Sequence, residues 1–134
     1  MFMVEAIENG KKDVLYVTDN EVKAINQLNF YIKLHTSLAE ANGFEVERTD
    51  STEGSLYSVE LLVAECPKLN IEYLLRRVNA KEYFITMKVS GTIEFRVLAP
   101  DRGIAESLAL KAIDQKNLNL LCIDDKLIIE CKEL

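Results

Sequence analysis

Residues 83–98 read Tyr-Phe-Ile-Thr-Met-Lys-Val-Ser-Gly-Thr-Ile-Glu-Phe-Arg-Val-Leu, and they are the starting point for predicting the fold. Apolar and polar side chains alternate on both sides of Ser90-Gly91, which is the pattern of two half-buried strands joined by a turn. A three-residue loop, Val89-Ser90-Gly91, with the glycine in a left-handed bulge position, places the apolar side chains of both strands on one face. A two-residue turn would instead pair apolar side chains of one strand with charged side chains of the other. The sequence therefore predicts the three-residue loop. The predicted apolar pairs are Met87 with Ile93, Ile85 with Phe95, and Tyr83 with Val97.

The opposite face of this hairpin is mostly polar, as a surface ladder should be. Phe84 is the exception, a large apolar side chain opposite Arg96. The last hairpin of the chain carries apolar side chains on its equivalent face, so a patch forms if the two hairpins adjoin. We therefore predict that this face binds another protein or a second copy of the chain. The six candidate residues are Phe84, Lys88, Arg96, Leu121, Ile123 and Ile128. A solvated face with one odd phenylalanine, or a face covered by the first helix, is the open alternative.

Short alternating runs predict further strands along the chain. The first hairpin has a four-residue loop at 9–12, which pairs Ala6 with Leu15 and Val4 with Val17. Next come a strand at 44–48, a loop at 49–55 and a strand at 56–64, where a helix is the open alternative. The last hairpin turns at Asp124-Asp125 and has three predicted pairs: Cys122 with Leu127, Leu120 with Ile129, and Leu118 with Cys131.

Three segments have helical spacing of apolar residues. The first begins at Asp19 or Asn20 as its N-cap and ends before Gly43. Its predicted core stripe consists of Ile25, Leu28, Ile32, His35 and Ala39. Phe30 and Leu34 lie off that stripe, so we expect this helix to be covered on more than one side. Two shorter helices follow Asn70 and Pro100, with these predicted inner faces: Ile71, Leu74, Leu75 and Val78; then Ile104, Ala105, Leu108 and Ala112.

These elements predict a single α+β domain over residues 1–134, in the order ββαββαββαββ. Neighbouring hairpins would form a mainly antiparallel sheet, with about three helices on one face. Segments 2–48 and 83–131 follow the same pattern of two strands, a helix and a further strand, which raises the hypothesis of two related halves.

Composition places the chain among ordinary globular proteins. It has 134 residues and a net charge of −6, and the acidity argues against general nucleic-acid binding. Residues 1–66 hold 12 acids against 5 bases, whereas residues 67–116 hold nine bases against six acids. No secretory signal and no long apolar run is present, so we expect no membrane association. Three widely spaced cysteines, Cys66, Cys122 and Cys131, are typical of a reducing compartment, and we expect a cytoplasmic protein.

No motif of catalysis or cofactor binding is present. The five glycines are at least 11 residues apart, which excludes dinucleotide and P-loop phosphate motifs. His35 is the only histidine, and its position on the apolar stripe favours a packed side chain over a general base. A zinc site would need close pairs of cysteines, which are missing. We therefore expect no metal, no cofactor and no enzyme activity.

Arg76, Arg77 and Lys81 form a basic group at the predicted end of the second helix. Cations at this place complement the negative helix terminus, by about 0.3–1 kcal/mol each. The alternative is that they bind phosphate or an acidic partner, since the forked donors of arginine suit such groups. The helix-terminus interpretation is the favoured one.

These observations favour a non-catalytic intracellular module that binds another protein, with a role as regulator, adaptor, inhibitor or immunity-type protein. The first alternative is binding of RNA or single-stranded DNA through the basic middle of the chain, because an aromatic beside bases on an open sheet can stack nucleobases. A weaker alternative is an enzyme or small-molecule binder with a pocket near His35.

Overall fold

A computed structural model describes residues 1–89, 91–115 and 127–134 of the chain. This part contains eight strands and two helices, with a short 3₁₀ turn at Pro67–Leu69. The elements are β1 Phe2–Glu8, β2 Lys11–Thr18, α1 Glu21–Ala41, β3 Glu47–Glu53, β4 Leu56–Leu62, β5 Ile71–Arg77, β6 Lys81–Val89, β7 Gly91–Ala99, α2 Arg102–Gln115 and β8 Leu127–Glu133. They divide into two compact units, 1–78 and 79–134. Neither helix is long and apolar enough to span a membrane.

The first unit is an antiparallel sheet with strand order β2-β1-β5-β4-β3 and with α1 on one face. Alternation along each strand sends every second side chain toward α1. The buried core between sheet and helix consists of Val4, Ala6, Ala24, Leu28, Ile32, Val59, Leu61, Ile71, Tyr73 and Leu75.

The second unit is a three-stranded antiparallel sheet with strand order β7-β6-β8, and α2 packs on it. The predicted register of the β6–β7 hairpin is confirmed, because Met87, Ile85 and Tyr83 lie opposite Ile93, Phe95 and Val97. The tip of the loop, at residue 90, lies outside the described residues. Pro100 and Asp101 precede α2 as predicted, and Asp101 Oδ1 accepts a hydrogen bond from Ile104 N at 2.9 Å. The core consists of Tyr83, Ile85, Met87, Ala99, Ala105, Ala109 and Cys131.

The two units share one arrangement of elements. In each, a hairpin leads into a helix, and a later strand returns antiparallel beside the first strand of the hairpin. The first unit has β3 and β4 between its helix and that returning strand. The hypothesis that segments 2–48 and 83–131 are related halves stays a prediction.

The predicted second helix is wrong, since residues 71–77 form the strand β5. Ile71, Tyr73 and Leu75 face α1, while Leu74 is buried on the opposite face of the sheet. A strand that is buried on both faces loses its alternation, and its apolar residues then fall by chance at helical spacing. The structure therefore has two helices where about three were predicted, and the element order differs from ββαββαββαββ.

The predicted register of the first hairpin is also wrong. Its loop has two residues, Asn9 and Gly10, with φ of 54° and 76°, as a type I′ turn requires. The register then slips between Val4 and Glu5, which leaves Leu15 as an extra residue in β2. Val4 pairs with Tyr16, and both Leu15 and Tyr16 pack against the core.

Residues 49–55 were predicted as a loop, but β3 occupies 47–53. Every residue of β3 is exposed, and the strand pairs only with β4 at the edge of the sheet. Polar and charged side chains on an edge strand discourage pairing with other chains, and they also remove the apolar alternation that would reveal it. The strand predicted at 56–64 is confirmed as β4.

The predicted terminal hairpin is only partly covered by the structure, because residues 116–126 lie outside the described part. Its second strand is β8, which pairs with β6. The register slips between Thr86 and Met87, so Ile128 lies opposite Met87.

Candidate functional site

Helix α1 begins and ends at the capping residues that its sequence predicts. The Asn20 side chain accepts a hydrogen bond at 3.1 Å from a backbone N–H three residues later. At the other end Gly43 has a φ of 81°, which glycine adopts without strain. Gly43 N donates to Glu40 O at 2.9 Å and Phe44 N donates to Ala39 O at 3.1 Å, which is a Schellman motif. These two caps set the length of α1.

The inner face of α1 contacts the sheet through Ala24, Leu28, Ile32 and Ala39. The prediction is confirmed for Leu28, Ile32 and Ala39. It is wrong for Ile25, which is 40% exposed, because the small neighbour Ala24 takes the inward position and allows close approach to the sheet.

The outer side of α1 carries large apolar side chains in contact with water. Phe30, Leu34 and Leu38 are 55–58% exposed and follow one another at intervals of four residues, so they form a continuous row. We call these three residues the α1 row. Val22 and Ile25 are also exposed. The row alone presents on the order of 300 Å² of apolar surface, which is at the lower end of the range of the largest patch on a typical monomer.

This concentration on one helix is unusual within the described part of the chain. Among the residues whose side chains are described (1–87, 94, 96–112 and 131–134), every exposed large hydrophobic side chain other than those of Met1 and Leu134 lies on α1. Scattered exposed apolar residues need no explanation, whereas a contiguous row on one helix is a candidate interaction surface.

A groove of about 560 Å³ adjoins the row. Tyr31 lines it and lies three residues before Leu34, hence on the same side of the helix. The rings of Tyr31 and Tyr73 have centroids 6.4 Å apart, and Phe30 meets Tyr31 edge-on at 5.8 Å. The remaining lining residues come from the first hairpin and β5: Ala6, Glu8, Asn9, Lys11, Asp13, Leu15 and Ile71. The groove therefore combines an aromatic wall with a charged rim.

Burial raises the pKa of Tyr73 to about 12, and nearby Glu8 and Tyr31 act in the same direction. Since the folded pKa lies above the unfolded value of about 10, the neutral phenol stabilises the fold below pH 10. We expect that contribution to be lost as the pH rises from about 10 to 12.

The measurement is a titration of tyrosinate absorbance with circular dichroism recorded in parallel. Tyr73→Phe should remove one ionisation near pH 12 and flatten the loss of stability above pH 10. An unchanged titration in this variant would contradict the assignment.

His35 is half-buried beside this aromatic cluster. Its Nε2 donates to the carbonyl oxygen of Leu69 at 2.6 Å, and a carbonyl can only accept, so Nε2 carries the proton. The ring meets Tyr73 edge-on, with centroids 6.5 Å apart. These contacts tie the C-terminal half of α1 to the segment before β5.

The favoured interpretation of the basic group at 76–81 is wrong, because residues 71–77 form a strand and offer no helix terminus. Arg76 Nε binds Glu5 Oε1 at 2.6 Å on β1, and Arg77 lies over the ring of Phe2 at 5.3 Å. Lys81 is in the second unit, where it binds Glu133 at 2.8 Å. That ion pair raises the pKa of Lys81. Each cation thus has a contact within its own unit.

A polar cluster joins the edge strand β3 to β4. Arg48 donates two hydrogen bonds to Asp50, at 2.8 and 3.0 Å, and the hydroxyl of Tyr57 donates to the same carboxylate. The guanidinium lowers the pKa of Asp50, and the carboxylate raises the pKa of Tyr57. The three side chains use one another as hydrogen-bond partners. The cluster therefore stabilises the pairing of the edge strand β3 with β4.

The six candidate residues on the outer face of the second sheet are placed as follows. Phe84 lies in register between Arg96 on β7 and Lys132 on β8, and it is half-buried. Arg96 is exposed and pairs with Glu82 at 3.5 Å. Lys88 lies opposite Thr92 as predicted, whereas Ile128 lies opposite Met87. Leu121 and Ile123 lie outside the described residues. The proposed patch around Phe84 stays a prediction.

The two cysteines in the described part are free thiols, Cys66 half-buried and Cys131 in the core of the second unit. Cys122 lies outside that part. No group of three or more potential metal ligands occurs among the described residues.

Sequence reasoning noticed Phe30 and Leu34 but did not include Leu38 or Val22. The usable signal was the interval of four residues from Phe30 to Leu38, which continues one ridge of the helix. A helix that is apolar on two sides is normally covered on both, and here the sheet covers only one. Neither a family model, nor a curated protein, nor a solved structure matches this chain.

Proposed function

We propose that this chain is a non-catalytic protein-binding module and that it binds through the α1 row and the adjoining groove. The observation that carries this proposal is the exposure of Phe30, Leu34 and Leu38 on a helix whose other side is already packed. Roles as regulator, adaptor, inhibitor or immunity-type protein are all compatible with such a module.

The size of the surface supports a partner of protein dimensions. The row exposes on the order of 300 Å², worth about 7 kcal/mol at about 25 cal/mol/Å² if it is buried completely. Association costs an estimated 4–15 kcal/mol in lost freedom, so the row alone roughly offsets that cost. Contacts in the groove would supply the surplus, and its tyrosines belong to the residue types that are enriched at interfaces.

The alternatives have less support. His35 uses Nε2 on the carbonyl of Leu69, which leaves no assembled acid–base pair around it in the described residues. Nucleic-acid binding needs unneutralised positive charge, but Arg76, Lys81 and Arg96 each pair with a carboxylate. No specific observation favours either activity.

The experiment compares baits in affinity capture from the native cell. The test variant is Phe30→Ser/Leu34→Ser/Leu38→Ser, and the matched control is Glu47→Ser/Thr49→Ser/Glu53→Ser on the exposed edge strand β3. We expect at least one protein to be captured by the wild type and the control but not by the row variant. That protein, once purified, should bind the wild type and show at least about a tenfold weaker affinity for the row variant.

The free energy of unfolding of the row variant shows whether a loss of binding comes from the surface itself or from a damaged fold. Exposed side chains contribute little to folding, so the row variant should unfold within about 1 kcal/mol of the wild type. A loss of several kcal/mol would identify the row as internal packing and overturn the proposal. Capture that is equal for all three baits would overturn it as well.

A further inference from the structure

We propose that Asn9 is a site of spontaneous deamidation, in which the backbone nitrogen of Gly10 displaces the side-chain nitrogen of Asn9. The chain contains two Asn-Gly dipeptides, Asn9-Gly10 and Asn42-Gly43. A glycine after an asparagine leaves this attack unhindered, because glycine has no Cβ. Both dipeptides are exposed, so access of water does not distinguish them. Their hydrogen bonds and their places in the fold do.

Asn9 and Gly10 are the two central residues of the turn between β1 and β2, and both have a positive φ, as type I′ requires. A type II′ turn differs by a rotation of the peptide unit between these two residues, and both turn types join hairpin strands. Gly10 tolerates the rotation, and even a Cβ at its position would meet no atom within 4 Å. Within the described residues, neither Gly10 N nor the Asn9 side chain forms a hydrogen bond that the rotation would break.

This rotation brings the reacting atoms together. In a type I′ turn the first central residue has a ψ of about +30°, which directs the next backbone nitrogen away from its Cβ. In type II′ the ψ is about −120°, and the nitrogen of Gly10 then lies on the side of the Asn9 Cβ, where a five-membered ring can close. The strands need not move. This backbone region is unfavourable for residues other than glycine, so the rotated turn is a minor state and the reaction is slow.

The reaction takes place in two steps and needs only water and hydroxide. Hydroxide removes the proton of Gly10 N, which bonds to Cγ of Asn9; the bond from Cγ to Nδ2 breaks, and Nδ2 leaves as ammonia with a proton from water. Water then adds to one of the two carbonyl carbons of the succinimide ring, and the bond from that carbon to the ring nitrogen breaks. Opening at Cγ gives aspartate. Opening at the backbone carbonyl gives isoaspartate, in which the main chain runs through the former side chain.

Asn42 is held against the same reaction by the end of α1. Its Nδ2, the leaving group, donates to the carbonyl oxygen of Leu38 at 2.8 Å. Gly43 N, the attacking atom, donates to Glu40 O at 2.9 Å, and Asn42 N donates to Ala39 O at 3.1 Å. Rotation of the peptide unit between Asn42 and Gly43 would break the bond of Gly43 N and open the Schellman motif. The fold therefore separates two sites that have the same dipeptide sequence.

The modification falls on the rim of the groove, where Asn9 lies with Glu8 and Asp13 among the lining residues. Aspartate adds a negative charge there and keeps the turn, because Asp-Gly suits type I′ as Asn-Gly does. Isoaspartate lengthens the backbone of a two-residue loop by one atom, so the type I′ geometry and the pairing of Glu8 with Lys11 are lost. This inference does not depend on the proposed function.

The experiment incubates the folded full chain at mildly alkaline pH and follows positions 9 and 42 by mass spectrometry of proteolytic peptides. We expect Asn9 to deamidate at least about tenfold faster than Asn42. The same chain in concentrated urea is the matched control, and there both positions should react at similar rates, because the hydrogen bonds that protect Asn42 are gone.

Gly10→Ala should slow the reaction at Asn9 by at least about tenfold and leave the rate at Asn42 unchanged. This variant is informative even if its hairpin loosens, because the added methyl group hinders the attack in an unfolded chain as well. Equal rates at the two positions of the folded chain would overturn the proposal. An Asn9 that reacts in urea but stays intact in the folded chain would overturn it too, since the turn would then protect the residue.

Discussion

Leu28→Ala should lower the free energy of unfolding by about 2–4 kcal/mol, whereas Leu34→Ala should change it by less than about 0.5 kcal/mol. The two leucines are six residues apart on α1, and the substitution is the same. Leu28 is 1% exposed and packs between α1 and the sheet, while Leu34 is 56% exposed. Only the first substitution opens a cavity in packed surroundings.

The measurement is urea unfolding followed by circular dichroism, with the slope of the free energy against urea compared between variants. Equal slopes allow the difference in midpoint to be read as a difference in stability. A cost above about 2 kcal/mol for Leu34→Ala would mean that the α1 row is covered by the chain itself, which would contradict the proposed binding surface.

Much of the fold could be predicted from local patterns. The β6–β7 register followed from alternation and a single glycine, because any other register mixes apolar and charged side chains on one face. The ends of α1 followed from Asn20 and Gly43, whose capping geometry is local. In both cases the deciding interactions lie within about ten residues of each other in the sequence.

The wrong predictions concern elements whose structure depends on contacts between residues that are far apart in the sequence. β5 lies in the middle of the sheet between β1 and β4, and burial on both faces erased its alternation. β3 lies at the edge and buries nothing, so its sequence resembles a loop. The slip between Val4 and Glu5 accompanies the packing of both Leu15 and Tyr16 against the core, which the local pattern of one hairpin does not encode.

The candidate site was predicted only in part. Phe30 and Leu34 were noticed as apolar residues off the core stripe, but we expected a second layer of the same chain to cover them. Whether a second apolar side of a helix is covered depends on how many other elements reach it. In the described structure the sheet covers one side of α1 and leaves the row exposed. The row is therefore a stronger candidate for a binding surface than the face of Phe84 is.

Arg76→Met should destabilise the chain by about 3 kcal/mol, an effect of a buried charge that the sequence did not reveal. The side chain of Glu5 is 2% exposed, on the face of the sheet opposite α1. Arg76 Nε contacts Glu5 Oε1 at 2.6 Å and Lys12 Nζ contacts Oε2 at 3.4 Å. Removing one partner of a buried ion pair typically costs about 3–5 kcal/mol, because the remaining charge has lost its compensation. The lower end applies here, since Lys12 stays and Arg76 is itself 41% exposed.

The double variant Glu5→Leu/Arg76→Met is the matched control, and it should unfold within about 1 kcal/mol of the wild type or be more stable. Replacing a whole buried ion pair by apolar residues of similar volume removes the desolvation penalty along with the attraction. The stability of Glu5→Leu alone completes a double-mutant cycle, which should give a coupling energy of about 2–3 kcal/mol between the two residues. A cost below about 1 kcal/mol for Arg76→Met would mean that Lys12 and water suffice to hold the carboxylate. In that case the guanidinium of Arg76 would be available to bind an anionic ligand.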